Sequence, residues 1–69
     1  MKRDFAGRNV VVTGSASGIG RETAFAFADL GANLDLADID QKGLERTALL
    51  CRKLGAVVHT HVVDVSSST

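Results

Sequence analysis

The stretch VVVTGSASGIG, residues 10–20, decides the fold that this chain is expected to adopt. It opens with a continuous apolar run and ends where a helix-like pattern begins. Between the two lie Gly14, Gly18 and Gly20. Because glycine lacks a Cβ, such a backbone can turn tightly and lie against a ligand. The unpaired N–H groups and positive dipole end of the following helix favour an anion there. The stretch therefore predicts a phosphate-binding loop between a buried strand and a helix.

The spacing of the glycines distinguishes between kinds of phosphate loop. A P-loop would end in Gly-Lys-Ser/Thr, but Gly20 is followed by Arg21 and Glu22. The general dinucleotide fingerprint reads GxGxxG, whereas this loop reads GxxxGxG. The surroundings favour a dinucleotide site, since a second apolar segment at residues 34–38 ends in an acid, Asp38. Asp38 lies 18 residues beyond Gly20, near the place where a ribose-binding acid is expected.

Together these features resemble the N-terminal part of a short-chain dehydrogenase/reductase. The resemblance consists of TGxxxGxG at residues 13–20, Asp38 at the end of the second strand, and Asp64 and Val65 at the end of the third. It covers nearly all of the 69 residues. It implies an oxidoreductase that transfers hydride between a nicotinamide cofactor and an alcohol or carbonyl substrate.

The residues that carry out hydride transfer in this family are not found in the chain. The resemblance implies an active-site Tyr, a Lys four residues later, a Ser and an Asn, yet the chain contains no tyrosine. We therefore assign no catalytic residue and do not expect these 69 residues alone to turn over substrate. Two interpretations stay open: the N-terminal portion of a longer NAD-dependent oxidoreductase, or a free-standing, non-catalytic module that binds the adenosine half of a dinucleotide.

Composition indicates an ordinary globular protein of one, partial domain over residues 1–69. Eight basic and eight acidic residues cancel, so no net charge attracts nucleic acid or an anionic membrane. The apolar runs are too short to span a bilayer, and the charged N-terminus lacks the apolar core of a signal peptide. A single cysteine, Cys51, excludes an internal disulfide. His59 and His61 are half of a metal site at most, so we expect no metal. The missing signal peptide and membrane span and the single cysteine lead us to expect a cytoplasmic location.

The hydrophobic pattern predicts an α/β fold, a βαβαβ half of a doubly wound Rossmann-type domain with a parallel sheet in the order 3-2-1. The predicted strands are residues 8–13, 33–38 and 57–65, and the predicted helices are residues 18–30 and 41–54. Asp40 is the predicted N-cap of the second helix. Gly43 is expected to weaken the first turn of that helix by about 1 kcal/mol relative to alanine.

The faces of these elements can also be predicted. The buried stripe of the first helix is expected to comprise Ile19, Thr23, Phe27 and Leu30, and that of the second Leu44, Thr47, Ala48, Cys51 and Leu54. Right-handed crossovers place both helices on one face of the sheet. The other face is then expected to be bare and apolar. We expect a longer chain to cover it, or the chain to form homo-oligomers.

The loop residues predicted to bind the cofactor are Gly14, Ser15, Ser17, Gly18, Ile19 and Gly20. The first glycine makes the turn, the second lets the diphosphate approach, and the third lets the helix pack on the sheet. The two serine hydroxyls are predicted to donate to phosphate or ribose, and the isoleucine to offer its backbone N–H while its side chain joins the core. The alternative is that the glycines only form a strand-to-helix turn and the serines only stabilise the loop.

Asp38 is the predicted specificity residue. A carboxylate at this strand end can accept from both ribose hydroxyls, each bond contributing roughly 1.5–3 kcal/mol. It would repel a 2′-phosphate, and Ser17 and Ile39 stand where the resemblance implies a basic residue in NADP-preferring relatives. We therefore predict NAD over NADP. The alternative is that Asp38 merely opens the loop before the second helix, which Asp40 caps.

Asp64 and Val65 complete the predicted site at the end of the third strand. The resemblance implies that the Asp64 carboxylate accepts from the adenine amino group and that the Val65 backbone assists. The alternative is that Asp64 is a capping or turn-forming acid.

Overall fold

The structure is a computed structural model that describes residues 4–63. Its elements are β1 (Asn9–Thr13), α1 (Gly18–Asp29), β2 (Asn33–Asp38), α2 (Gln41–Lys53) and β3 (Val58–Val62). The strands are parallel and adjacent in the order β1-β2-β3, which confirms the predicted α/β class and sheet order. The predicted bounds are correct to within one residue, except that β3 ends at Val62, where the prediction ran on to residue 65.

Both helices pack on the same face of the sheet, as the handedness of the crossovers predicts. The core between them consists of Val12, Ala24, Ala28, Ala32, Leu34, Leu36, Leu44, Ala48, Cys51, Ala56 and Val58. Leu34 and Leu36 of the central strand are at most 1% exposed, and burying each contributes about 1.5–3 kcal/mol. The strand therefore anchors the sheet that positions the glycine loop.

Of the predicted apolar stripe of α1, Phe27 is partly buried and packs against the core, whereas Ile19 lies on the surface. Ala24 and Ala28 are the buried residues of this helix, whereas Ile19 is 86% exposed. The helix approaches both the sheet and α2, so the residues at closest approach are small. Phe27 lies at the flank instead, where its ring meets that of Phe5 edge-on at a centroid distance of 5.1 Å.

The buried face of α2 matches the prediction except at its last member. Leu44, Thr47, Ala48 and Cys51 are buried, but Leu54 is 49% exposed. Leu54 is the C-cap residue, so it lies beyond the last helical turn that packs on the sheet. Among residues 4–63, no helix combines the length and apolar content needed to cross a bilayer.

The opposite face of the sheet is covered by no element within residues 4–63, as predicted, but its expected apolar character is wrong. The strand register sets two rows across it, Val11–Asp35–His59 and Thr13–Ala37–His61. The Asp35 Oδ1 and His61 Nε2 atoms are 3.1 Å apart on this face. Because side chains alternate along a strand, the leucines of β2 all point towards the helices. Within β1, β2 and β3 the open face is therefore largely polar, and Val11 is the valine of these strands that lies on it.

Candidate nucleotide-binding site

The glycine loop connects the carboxyl end of β1 to the first turn of α1. Gly14 and Gly18 have φ values of +65° and +54°, in the left-handed region that side chains other than glycine rarely adopt. Ser17 is the N-cap of α1, in extended conformation, and its side chain makes no capping hydrogen bond. The first turn also carries no acidic residue. The N-terminus of α1 thus keeps its positive end and unpaired N–H groups without a side-chain acceptor from the helix itself.

Gly20 holds the first turn of α1 against the start of the loop. A Cβ at this position would collide with the carbonyl oxygen of Gly14 and would lie 3.1 Å from the Ser15 Cα. Backbone cannot yield as the end of a flexible side chain can. The close approach of helix and loop, which brings the helix dipole to the crevice, therefore requires glycine here.

The two serines of the loop differ in environment. Ser15 is fully buried, and both its N–H and its hydroxyl donate to the Ala37 carbonyl oxygen at 3.3 Å. Since a hydroxyl has one proton, that of Ser15 is engaged by β2 in this arrangement. Ser17 is exposed at the mouth of the loop. Ser15 thus fits the loop-stabilising alternative better, whereas the Ser17 side chain is open to solvent.

Asp38 joins the end of β2 to the glycine loop. Its Oδ2 accepts from the Ala16 N–H at 2.9 Å, and its Oδ1 accepts from the Asp40 N–H at 2.9 Å. The Asp40 amide and then the Ala16 amide lower the pKa of Asp38 below its ordinary value of 3.8, while burial opposes them. The carboxylate is therefore ionised at neutral pH and held in one orientation. Each oxygen retains a free lone pair, so both can still accept from a ligand.

The alternative role of the Asp38–Asp40 segment is also present. The Asp40 carboxylate caps α2 by accepting from the Gly43 N–H at 3.1 Å. Asp38 therefore orders the start of the β2–α2 connection while its carboxylate faces the loop. The two roles that the sequence set against each other are compatible.

The comparisons with known proteins identify the family of the chain. The model of the short chain dehydrogenase family matches residues 8–69. The chain belongs to this family. It is 54% identical over 65 residues to estradiol 17-beta-dehydrogenase 11 of Rattus norvegicus, which covers 94% of this chain and 22% of the relative. It is 52% identical over 66 residues to rat 17-beta-hydroxysteroid dehydrogenase 13, with 96% and 22% covered.

Solved structures of dehydrogenases share the same fold. NAD+-bound xylitol dehydrogenase superimposes with a TM-score of 0.88 at 33% identity, over 93% of this chain and 25% of that one. The citronellol catabolism dehydrogenase of Pseudomonas aeruginosa gives a TM-score of 0.87 at 39% identity, over 93% and 27%. The chain spans about a fifth of the length of the curated relatives that it matches.

The other residues singled out in this short chain dehydrogenase unit lie at the start of α1, at the end of the chain and on the open face of the sheet. Ile19 is exposed, which corrects the expectation that its side chain joins the core, and its backbone N–H lies in the uncapped first turn of α1. Asp64 and Val65 lie outside the described residues. His59 and His61 are exposed on the open face, and His61 contacts Asp35 there, away from the helices.

Sequence reasoning missed two residues that shape the site. Ala16 is 8% exposed and donates its N–H to Asp38. Gly43 is buried in the first turn of α2 and packs against Ala16. The one available signal was the placement of Gly43 itself, since a glycine inside a helix lowers its stability and is retained where a close contact needs it.

Proposed function

We propose that this chain binds the adenosine and diphosphate portion of NAD, as the N-terminal part of a short-chain oxidoreductase that transfers hydride between the nicotinamide and an alcohol or carbonyl substrate. The observation that carries the proposal is the Asp38 carboxylate, fixed beside the glycine loop by the N–H groups of Ala16 and Asp40. An acid one strand away from a glycine-lined helix start is the arrangement that holds a dinucleotide.

The diphosphate is assigned to the N-terminus of α1. The first-turn N–H groups, including that of Ile19, have no side-chain cap. A diphosphate there would accept from them and would interact favourably with the helix dipole. The Cβ positions of Gly14 and Gly18 face open space, and Ser17, which precedes Gly18, has an exposed hydroxyl. When bound, the nicotinamide would accept hydride from an alcohol or, in its reduced form, donate it to a carbonyl, and the role of these residues is to bind and orient the cofactor.

Preference for NAD over NADP follows from the charge at Asp38. An ionised carboxylate accepts from the ribose hydroxyls of NAD but faces the negative 2′-phosphate of NADP. Ser17 and Ile39, both exposed and uncharged, provide no compensating positive charge. Two of the similar solved structures support this preference, since xylitol dehydrogenase is described as NAD+-bound and carveol dehydrogenase of Mycobacterium avium as in complex with NAD.

The substrate is proposed only as a class. The relatives are named for estradiol and 17-beta-hydroxysteroids, and the similar structures for xylitol, citronellol catabolism and carveol. These names share the chemistry of an alcohol and its carbonyl counterpart. For Asp64, we retain the proposed contact with the adenine amino group, with the Val65 backbone beside it.

The affinity for the two cofactors tests the proposal directly. Calorimetric titration of the chain with NAD and with NADP should give tighter binding of NAD. Binding of NADP as tight as that of NAD would contradict the role of Asp38. Absence of binding to either dinucleotide would contradict the proposed function as a whole.

A second function, a non-catalytic nucleotide-binding module, is favoured by one observation. The open face of the sheet carries the polar side chains of Asp35, His59 and His61, so this face can meet solvent without a further layer. The mass of the native polypeptide distinguishes the two. A homo-oligomer stays a prediction for either function, and sedimentation of the chain would test it.

A further inference from the structure

The first turn of α2 packs directly on the glycine loop, and Gly43 lies at the contact. A Cβ at this position would lie 2.9 Å from the Ala16 Cβ and 2.6 Å from the Asp40 Oδ2. The Asp40 carboxylate is the end of a flexible side chain and can turn aside. The Ala16 Cβ is fixed to the loop backbone, so relieving that contact requires the loop and the start of α2 to move apart.

The loop segment at Ala16 is also the partner of Asp38. The Ala16 N–H donates to the Asp38 Oδ2 at 2.9 Å, and the Ala16 side chain is almost wholly buried. The neighbouring Ser15 is bound to Ala37 at the end of β2. Ala16 thus contacts Gly43 on one side and donates to Asp38 on the other. The distance of α2 from the loop therefore determines where the Ala16 amide holds the Asp38 carboxylate.

We infer that Gly43 is a positioning residue for the cofactor: by leaving room for Ala16 it sets the distance between the glycine loop and the Asp38 carboxylate, and so the discrimination between NAD and NADP. The inference rests on the proposed function and deepens it. Gly43 itself contacts Ala16 and Asp40, and its effect on the ribose is exerted through Asp38.

A merely structural role for Gly43 predicts a different result. If alanine at this position only destabilised the fold, the folded fraction would fall and the binding of NAD and NADP would weaken by the same factor. A shifted carboxylate instead weakens NAD binding more than NADP binding. The ratio of the two affinities therefore separates a positioning role from a structural one.

The test is Gly43→Ala, with Gly55→Ala as the matched control. Gly55 follows the opposite end of the same helix, has φ +97° and has nothing within 4 Å of its Cβ position. The Gly55→Ala substitution should lower the stability of the fold through backbone strain, and its added methyl group contacts nothing in the glycine loop. For Gly43→Ala we expect the ratio of NAD to NADP affinity to fall by about tenfold, which corresponds to about 1.4 kcal/mol. Gly55→Ala should leave the ratio at its wild-type value.

Rescue by a second substitution identifies the contact responsible. Ala16→Gly removes the Cβ that alanine at position 43 would meet but retains the N–H that Asp38 accepts. In the Gly43→Ala background it should restore most of the lost discrimination, a coupling measured by a double-mutant cycle. If Gly43→Ala does not fold, the double variant should fold and discriminate. Failure of the double variant to do so overturns the inference.

The outcomes separate this inference from the proposed function. Wild-type protein that binds neither dinucleotide overturns the proposed function and the inference with it. Wild-type protein that binds both equally overturns the NAD preference, and with it the inference, but not dinucleotide binding. Wild-type protein that prefers NAD, together with a Gly43→Ala variant that keeps the wild-type ratio, overturns the inference alone. A displaced backbone amide resonance of Ala16 in the NMR spectrum of Gly43→Ala, absent in Gly55→Ala, would support it without any cofactor.

Discussion

The N-termini of the two helices are built in opposite ways. Both helices follow a parallel strand and both carry glycine in the first turn. At α2 the Asp40 carboxylate accepts from the Gly43 N–H at 3.1 Å, so the helix satisfies its own end. At α1 the Ser17 side chain makes no such bond and no acid lies in the first turn. The chain therefore stabilises one helix start internally and leaves the other without a side-chain cap, which is why we propose the anion site at α1.

Gly20→Ala should disturb the α1 terminus most. The added Cβ collides with the Gly14 carbonyl oxygen, so either the helix or the loop must move. We expect unfolding in urea to show a loss of about 1–3 kcal/mol and calorimetry to show NAD binding weakened by about a hundredfold, or about 2.8 kcal/mol. Gly55→Ala is the control, since it should reduce stability without reducing the affinity of the folded protein. Unchanged binding in Gly20→Ala would contradict the placement of the diphosphate at α1.

Asp38→Asn removes the negative charge of the side chain that accepts hydrogen bonds from Ala16, before α1, and from Asp40, before α2. The amide is nearly the same shape but has a single acceptor oxygen, so it cannot serve the Ala16 and Asp40 amides and the ribose together. We expect NAD affinity to fall by about tenfold and NADP affinity to rise, because the repulsion of the 2′-phosphate is gone. Parallel titrations with both cofactors measure this. A variant that retained the wild-type preference would contradict the specificity role.

Asp40→Ala and Ser17→Ala compare the two termini directly. Loss of the Asp40 cap should cost about 0.5–2 kcal/mol of stability with little change in NAD affinity. Ser17→Ala should leave stability unchanged, because its side chain caps nothing, and should weaken NAD binding by about threefold if its hydroxyl meets the ligand. Urea unfolding measures the stability of each variant, and calorimetry measures its affinity for NAD. The same pattern in both variants would show that the termini do not differ as described.

The alternation of strands and helices could be predicted because local signals agree with the fold. The valines before Gly14, the glycine that ends each helix and the Asp40 cap each act over a few neighbouring residues. The sheet order followed from the βαβαβ pattern of a dinucleotide-binding half, and crossover handedness then placed both helices on one face. The position of Asp38 at the mouth of the loop followed from the same reasoning.

The sequence alone could not reveal features that depend on distances between elements. Ile19 fits the helical period of a buried stripe, yet its side chain is 86% exposed, because the face of α1 that is buried depends on how the helix lies against the sheet and α2. By propensity alone, Gly43 disfavours a helix. The reason for a glycine at this position is its close contact with Ala16, which lies 27 residues earlier in the sequence. The polarity of the open sheet face likewise depends on which alternate residues of each strand face the helices.

The acid dependence of stability gives the smallest expected effect and isolates the Asp38 contacts. Hydrogen bonds from the Asp40 and Ala16 amides lower the pKa of Asp38 in the folded chain below the ordinary value of 3.8. The unfolded state therefore binds the proton more readily, so stability contributed by these bonds is fully present above about pH 4. It is lost as pH falls through the lower, folded value. Urea unfolding at steps from pH 6 to pH 2 should show a steeper loss for the wild type than for Asp38→Asn, in which position 38 no longer titrates. Equal slopes would mean that the two amides do not hold the carboxylate. Asp38 would then not connect the glycine loop before α1 to the start of α2.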